Sequence, residues 1–263
     1  AKRHSLSAYF VCQARMWALL DVGRREEALE PFLRCLELLR WNKAISKSLP
    51  GERRLKVDSI NGFTDALLPT WFDAEMAKAQ LPGASDAVKA MESGKPAGVY
   101  YYYGTLALAA GKLDVAERVF KAVPNDNARF ASLRKIISAQ QALAAGDPAA
   151  AIQQLDAISA QKSAAEESMA LYWRGMAQLK AAQNEASLRQ AALTFLRLAA
   201  KFETARPDFA AAGLANASQI AESLKDEKQA VILRKELMDK YPQTYHALQI
   251  TGKENNNESQ QKE

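Results

Sequence analysis

The chain has 263 residues, 48% of them hydrophobic and 25% charged, with a net charge of +5, a make-up that can bury a sizeable core and excludes a largely disordered protein. Only twelve Gly and nine Pro occur, and Ala, Leu, Gln, Glu, Lys and Arg, the residues that lose least on entering a helix, dominate, so the expected class is all-α. No stretch approaches the roughly 18 consecutive apolar residues of a membrane span; the apolar run that ends at Leu20 is confined between Arg15 and Asp21.

The first residue is Ala1, compatible with a trimmed chain or with loss of an N-terminal signal; a signal peptide or lipid anchor ahead of it would leave no trace. Residues 1–41 are expected to form a helical hairpin. Its two arms carry Cys12 and Cys35, the two cysteines of the chain. Antiparallel helix axes lie about 8–10 Å apart, whereas a disulfide requires Cα atoms within roughly 7 Å. Two thiols packed as small hydrophobes are therefore expected, with a bridge left open. Residues 42–98 form a divergent segment, with helices over Arg53–Leu67, Thr70–Gln80 and Ala84–Met91 separated by Pro50, Pro69, Pro82 and Pro96. An array of hairpins is expected over 99–251. The tail 252–263, GKENNNESQQKE, has no apolar residue to bury and is expected to be disordered.

An internal repeat organises this reading. The segments GRREEALEPF at 23–32, GKLDVAERVF at 111–120 and GDPAAAIQQL at 146–155 each place Ala five residues after Gly and a large apolar residue four after that. Gly can end a helix in a conformation that a β-carbon disfavours, polar residues then open the next helix, and a small Ala lets the two approach. Twelve residues before Ala28, Ala116 and Ala151 stand Met16, Gly104 and Ala139, marking the helix crossing. Two less regular units follow. Gly175 in LYWRGMAQL precedes a turn lengthened through Asn184–Ser187, with Ala192, Leu196 and Ala199 continuing the pattern, and Ala230 follows LKDEKQ with no Gly. The alanines at 116, 151, 192 and 230 are 35, 41 and 38 residues apart, and Pro242 stands twelve after the last.

This pattern resembles the tetratricopeptide repeat, whose period is about 34 residues and whose small residues mark the same crossing. The resemblance implies a right-handed superhelix, an α-solenoid of about five to six hairpins. It also implies that fixed positions of each first helix line a concave, partner-binding face: Tyr101, Thr105 and Leu108 in one repeat, Ile136, Gln140 and Leu143 in the next, Tyr172, Met176 and Leu179 in the third. The alternative for each is packing against the neighbouring hairpin. The Lys and Asn with which some such repeats clamp a C-terminal carboxylate are replaced by Tyr101 and Thr105, then Ile136 and Gln140, so an apolar helix or extended segment is the expected occupant.

Tyr100–Tyr103 and the pair Tyr172–Trp173 stand out as interface material, because tyrosine offers a ring and a hydroxyl at little entropic cost. Successive helical residues point about 100° apart, so four consecutive tyrosines cannot all be buried. Reactive groups are sparse. His4 and His246 lie near opposite ends, the cysteines have no neighbouring histidine, and no zinc-ligand spacing, GxxxxGK[ST], GxGxxG or GxSxG is present. Paired acids such as Glu26–Glu27 and Glu166–Glu167 fall at helix starts, where the dipole favours them. No catalytic residue, metal or cofactor is assigned.

The expected function is a non-enzymatic scaffold or adaptor holding an unidentified protein partner. One alternative is the non-catalytic superhelical part of a larger envelope enzyme of the transglycosylase kind. Another is a binder of nucleic acid or an anionic surface through the basic cluster Arg40, Lys43, Lys47, Arg53, Arg54 and Lys56; Trp41 alone is interleaved with these charges, which disfavours nucleic acid. The closing segment LRKELMDKYPQTYHAL is similar to helical repeats of bacterial envelope lipoproteins, which implies a periplasmic or envelope setting, the cytoplasm being the alternative.

Overall fold

The computed structural model describes residues 2–22, 28, 31–32, 34–35, 38, 71–90, 97–123, 128–158 and 164–251. Among them every regular element is a helix and no strand occurs, so the chain is all-α. It divides into two compact units, Ala1–Pro124 and Asn125–Glu263, and the division falls inside the array expected over 99–251. The expected helix over Arg53–Leu67 and the tail 252–263 lie outside the described residues.

The first unit contains α1 (Lys2–Asp21), α2 (Ala74–Ala90), α3 (Ala97–Ala109) and α4 (Leu113–Lys121). Met16, Ala28 and Phe32 are fully buried in one cluster with Tyr9, Cys35, Ala77 and Tyr102, and the rings of Phe32 and Tyr102 meet edge to face at 6.0 Å. The crossing expected at Met16 and Ala28 is thus part of this core. One expectation fails here. Pro82 does not separate two helices: α2 runs through it without interruption. Proline lacks the N–H that would bond the carbonyl four residues back, but Asp73 caps the start by accepting from the Met76 N–H at 2.9 Å, and Ala77 and Leu81, on the turn leading into Pro82, pack into the core. Tertiary burial outweighs the local penalty.

Gly104 explains the α3–α4 hairpin. A β-carbon there would overlap the ring of buried Phe120, so the small residue at the crossing and the large one sixteen residues on are two halves of one contact. Of the four tyrosines, Tyr101 and Tyr102 are buried while Tyr100 and Tyr103 remain partly exposed, as the 100° step requires.

The second unit contains α5 (Ala128–Ala144), α6 (Pro148–Asp156), α7 (Ala164–Ala181), α8 (Glu185–Lys201), α9 (Pro207–Ser223) and α10 (Glu227–Lys240), followed by a helical stretch at 245–251. Each helix packs on the next. Gly175 repeats the role of Gly104, since a β-carbon would lie 2.7 Å from the Phe195 ring. The buried alanine four residues before that ring is Ala191, whereas Ala192 and Leu196 are only partly buried. The expected register on α8 is therefore off by one. The lengthened turn is closed by a capping box, in which the Asn184 side chain accepts from the Ser187 N–H and the Ser187 hydroxyl accepts from the Asn184 N–H.

Three hairpin turns share one hydrogen-bond pattern. Gly111 and Lys112 donate to the carbonyls of Leu108 and Ala107, Gly146 and Asp147 to those of Leu143 and Ala142, and Lys225 and Asp226 to those of Glu222 and Ala221. This helix-ending motif requires a left-handed residue, and Gly111, Gly146 and Lys225 have φ of 69°, 84° and 60°. Lys225 lies five residues before Ala230, in the slot that Gly fills elsewhere. Asp147 and Asp226 then cap the following helices by accepting from the Ala150 and Gln229 N–H groups.

Candidate functional site

Most of the residues assigned to a concave face sit deep in their units. Tyr101, Thr105, Leu108 and Ile136 are each at most 2% exposed. The Thr105 hydroxyl donates back into its own helix, to the Tyr101 and Tyr102 carbonyls at 2.8 and 3.0 Å, the usual use of a buried helical threonine. Gln140 and Leu143 are buried as well, and the Gln140 amide nitrogen has no hydrogen-bond partner among the described residues. Tyr172, Met176 and Leu179 are half-buried and pack against the core of the second unit.

Tyr172 is spent on that packing. Its ring meets Trp173, Phe195 and Phe209 edge to face at 5.6, 6.2 and 5.9 Å, joining α7 to α8 and α9, and burial pushes its hydroxyl up to about 12. The basic cluster Arg40, Lys43, Lys47, Arg53, Arg54 and Lys56 lies outside the described residues.

The second unit carries an open groove of about 580 Å³ across α6, α7 and α8. Leu155, Ile158 and Ala170, all nearly buried, form its apolar floor together with Leu171 and Ala200. Charges form the rim: Asp156 and Glu167 against Arg174, Arg197 and Lys201. Arg174 Nε stands 3.1 Å from Asp156 Oδ1, and Lys201 pairs with Glu167. Both acids are thus opposed by a cation, which leaves Arg197, exposed and with no ion pair among the described residues, as surplus positive charge. Such pairs near water contribute little to stability, so the rim is available for exchange with a charged ligand.

The sequence offered a faint sign of this rim, the four-residue spacing of Arg197 and Lys201 on one helix face, but bringing Asp156 and Arg174 to it takes three helices. Among the described residues no group of three or more His, Cys, Asp or Glu could hold a metal ion, and no helix is long and apolar enough to cross a membrane. No protein-family model matches the chain, nor does any curated protein or solved structure to which it was compared.

Proposed function

We propose that this chain is a scaffold of the tetratricopeptide kind, its hairpins stacking in a right-handed superhelix, and that it holds a segment of a partner protein in the groove between α6, α7 and α8. The observation that carries this reading is the groove itself, whose apolar floor suits an aliphatic side chain and whose surplus cation suits an acidic neighbour on the same segment. It replaces the concave positions read from the repeat register, most of which are occupied with internal packing. The likeness of the closing segment to envelope lipoproteins makes the bacterial periplasm or envelope our preferred setting.

Site-directed photocrosslinking tests the reading. A photoreactive residue at Leu171, inside the groove, is compared in the source cells with one at exposed Val231, outside it. A single protein captured at position 171 and not at 231, whose purified form then loses at least tenfold in affinity for the full-length Arg197→Glu variant, supports the proposal. Equal capture at both positions, or affinity indifferent to charge reversal at Arg197 in a variant of unchanged helicity, overturns it.

A further inference from the structure

The first unit holds its two thiols across one helix contact. Cys35 is fully buried, and its sulfur lies 3.8 Å from the carbonyl oxygen of Tyr9 on α1. A helical carbonyl points along the axis toward the N–H four residues on, so the Tyr9 oxygen stands at the level of Cys12 and Gln13. Tyr9 and Cys12, three apart, are also neighbours on one helix face, with β-carbons about 5–6 Å apart. Cys12 is partly exposed and packs against the same core cluster as Cys35. A cysteine side chain is short, so a sulfur that touches the opposing backbone brings its helix to the close end of the separations at which helices pack. Neither cysteine is part of a disulfide.

We propose that Cys12 and Cys35 are a redox-modification site, which closes to an intrachain disulfide by exchange with a small external disulfide. The difference in burial orders the steps. Cys12, the thiol open to solvent, attacks the external disulfide as its thiolate, forms a mixed disulfide and releases one small thiol. Cys35 then gives its proton to solvent and attacks the Cys12 sulfur, forming the bridge and releasing the second small thiol. The cysteine pair loses two electrons and two protons, and the external disulfide takes up both to become two thiols. Burial, with a further contribution from Cys12, pushes the Cys35 thiol up to about 12, so the second step draws on a small thiolate fraction at neutral pH. Its rate rises about tenfold per pH unit as the thiolate fraction grows. Closure ties α1 to the arm that bears Cys35 without linking two chains.

The test uses the full chain with glutathione disulfide as the probe. Intact mass, alkylation after unfolding and non-reducing electrophoresis follow the reaction. The expected product has lost two hydrogen atoms, retains no alkylatable thiol, runs as a monomer and yields on digestion a peptide pair joined through Cys12 and Cys35. A Cys35→Ser variant should stop at a single glutathione adduct on Cys12. Wild-type chain in which the Cys12 adduct persists as the end product, with Cys35 still alkylatable even at a pH high enough to form its thiolate, or that gives only disulfide-linked dimers, overturns the proposal. Those readings come from the wild type, so they stand whether or not the variant folds.

Discussion

Gly213 on α9 offers the sharpest test of how the second unit packs. A methyl group at an interior helical glycine ordinarily stabilises by about 1 kcal/mol, because alanine loses less backbone freedom. At position 213 the added β-carbon would lie 2.5 Å from the Phe195 carbonyl oxygen, 3.1 Å from the Ala199 backbone nitrogen and 3.4 Å from the Ala199 β-carbon. All three atoms belong to α8, and the two closest are backbone, so no rotamer change relieves the overlap. The helices must move apart, which opens the contacts around Phe195 and the Ala-rich face of α9 that are buried together. Overpacking of a close-packed interior costs about 1–3 kcal/mol, and a clash against backbone belongs at the upper end. After the propensity gain, Gly213→Ala is expected to destabilise by about 2 kcal/mol, a fall in melting temperature of about 4–8 °C for a domain of this size. Gly175→Ala meets a ring edge at 2.7 Å rather than backbone and should cost less. The assay is urea unfolding followed by circular dichroism at 222 nm, with hydrogen exchange to localise the loss to α8 and α9. A Gly213→Ala chain as stable as wild type, or more stable, would refute the close-approach argument.

Three further outcomes follow from the same packing. Lys225 pays the left-handed penalty of a residue with a β-carbon, so Lys225→Gly should raise the unfolding free energy by up to about 1 kcal/mol, read as a higher urea midpoint with an unchanged m-value; a lowered midpoint would contradict the turn assignment. Tyr172→Ala should lose about 3 kcal/mol by emptying the ring cluster of α7, α8 and α9, while Tyr172→Phe keeps the ring contacts and stays within about 1 kcal/mol in the same unfolding assay. Burial lowers the His246 pKa from 6.5 to about 4, so the unfolded chain binds a proton that the folded chain refuses. The stability from this group is therefore complete above pH 6.5 and is lost as pH falls toward 4, a contribution of about 2 kcal/mol after allowing for its partial exposure. His246→Asn should flatten that part of the pH–stability curve, and an identical slope in the variant would exclude the histidine as its source.

The repeat signature determined more than helix content. Gly at the turn, Ala five residues on and a large apolar residue four further are all local demands: a left-handed helix end, a close crossing and a filled groove. Each is met by residues near one another in the chain, which is why Gly111, Ala116 and Phe120, or Gly146, Ala151 and Leu155, could be read in advance with the right roles. Where a local penalty competed with burial the reading failed, as at Pro82, which the core around Ala77 and Leu81 carries inside a continuous α2. The insertion after Gly175 shifted the register to Ala191 and Phe195, because the four added residues are taken up in the Asn184–Ser187 turn by a capping box. Only the tertiary structure decided which faces are free. The positions that the register assigned to a partner, Tyr101, Thr105 and Ile136 among them, are covered by the chain itself. The groove takes Asp156, Arg174 and Arg197 from three helices, and the Cys35 sulfur meets the Tyr9 carbonyl of α1. Periodicity fixes the inward face of a helix, but whether a second face is also covered depends on neighbours far away in sequence, and no local spacing encodes them.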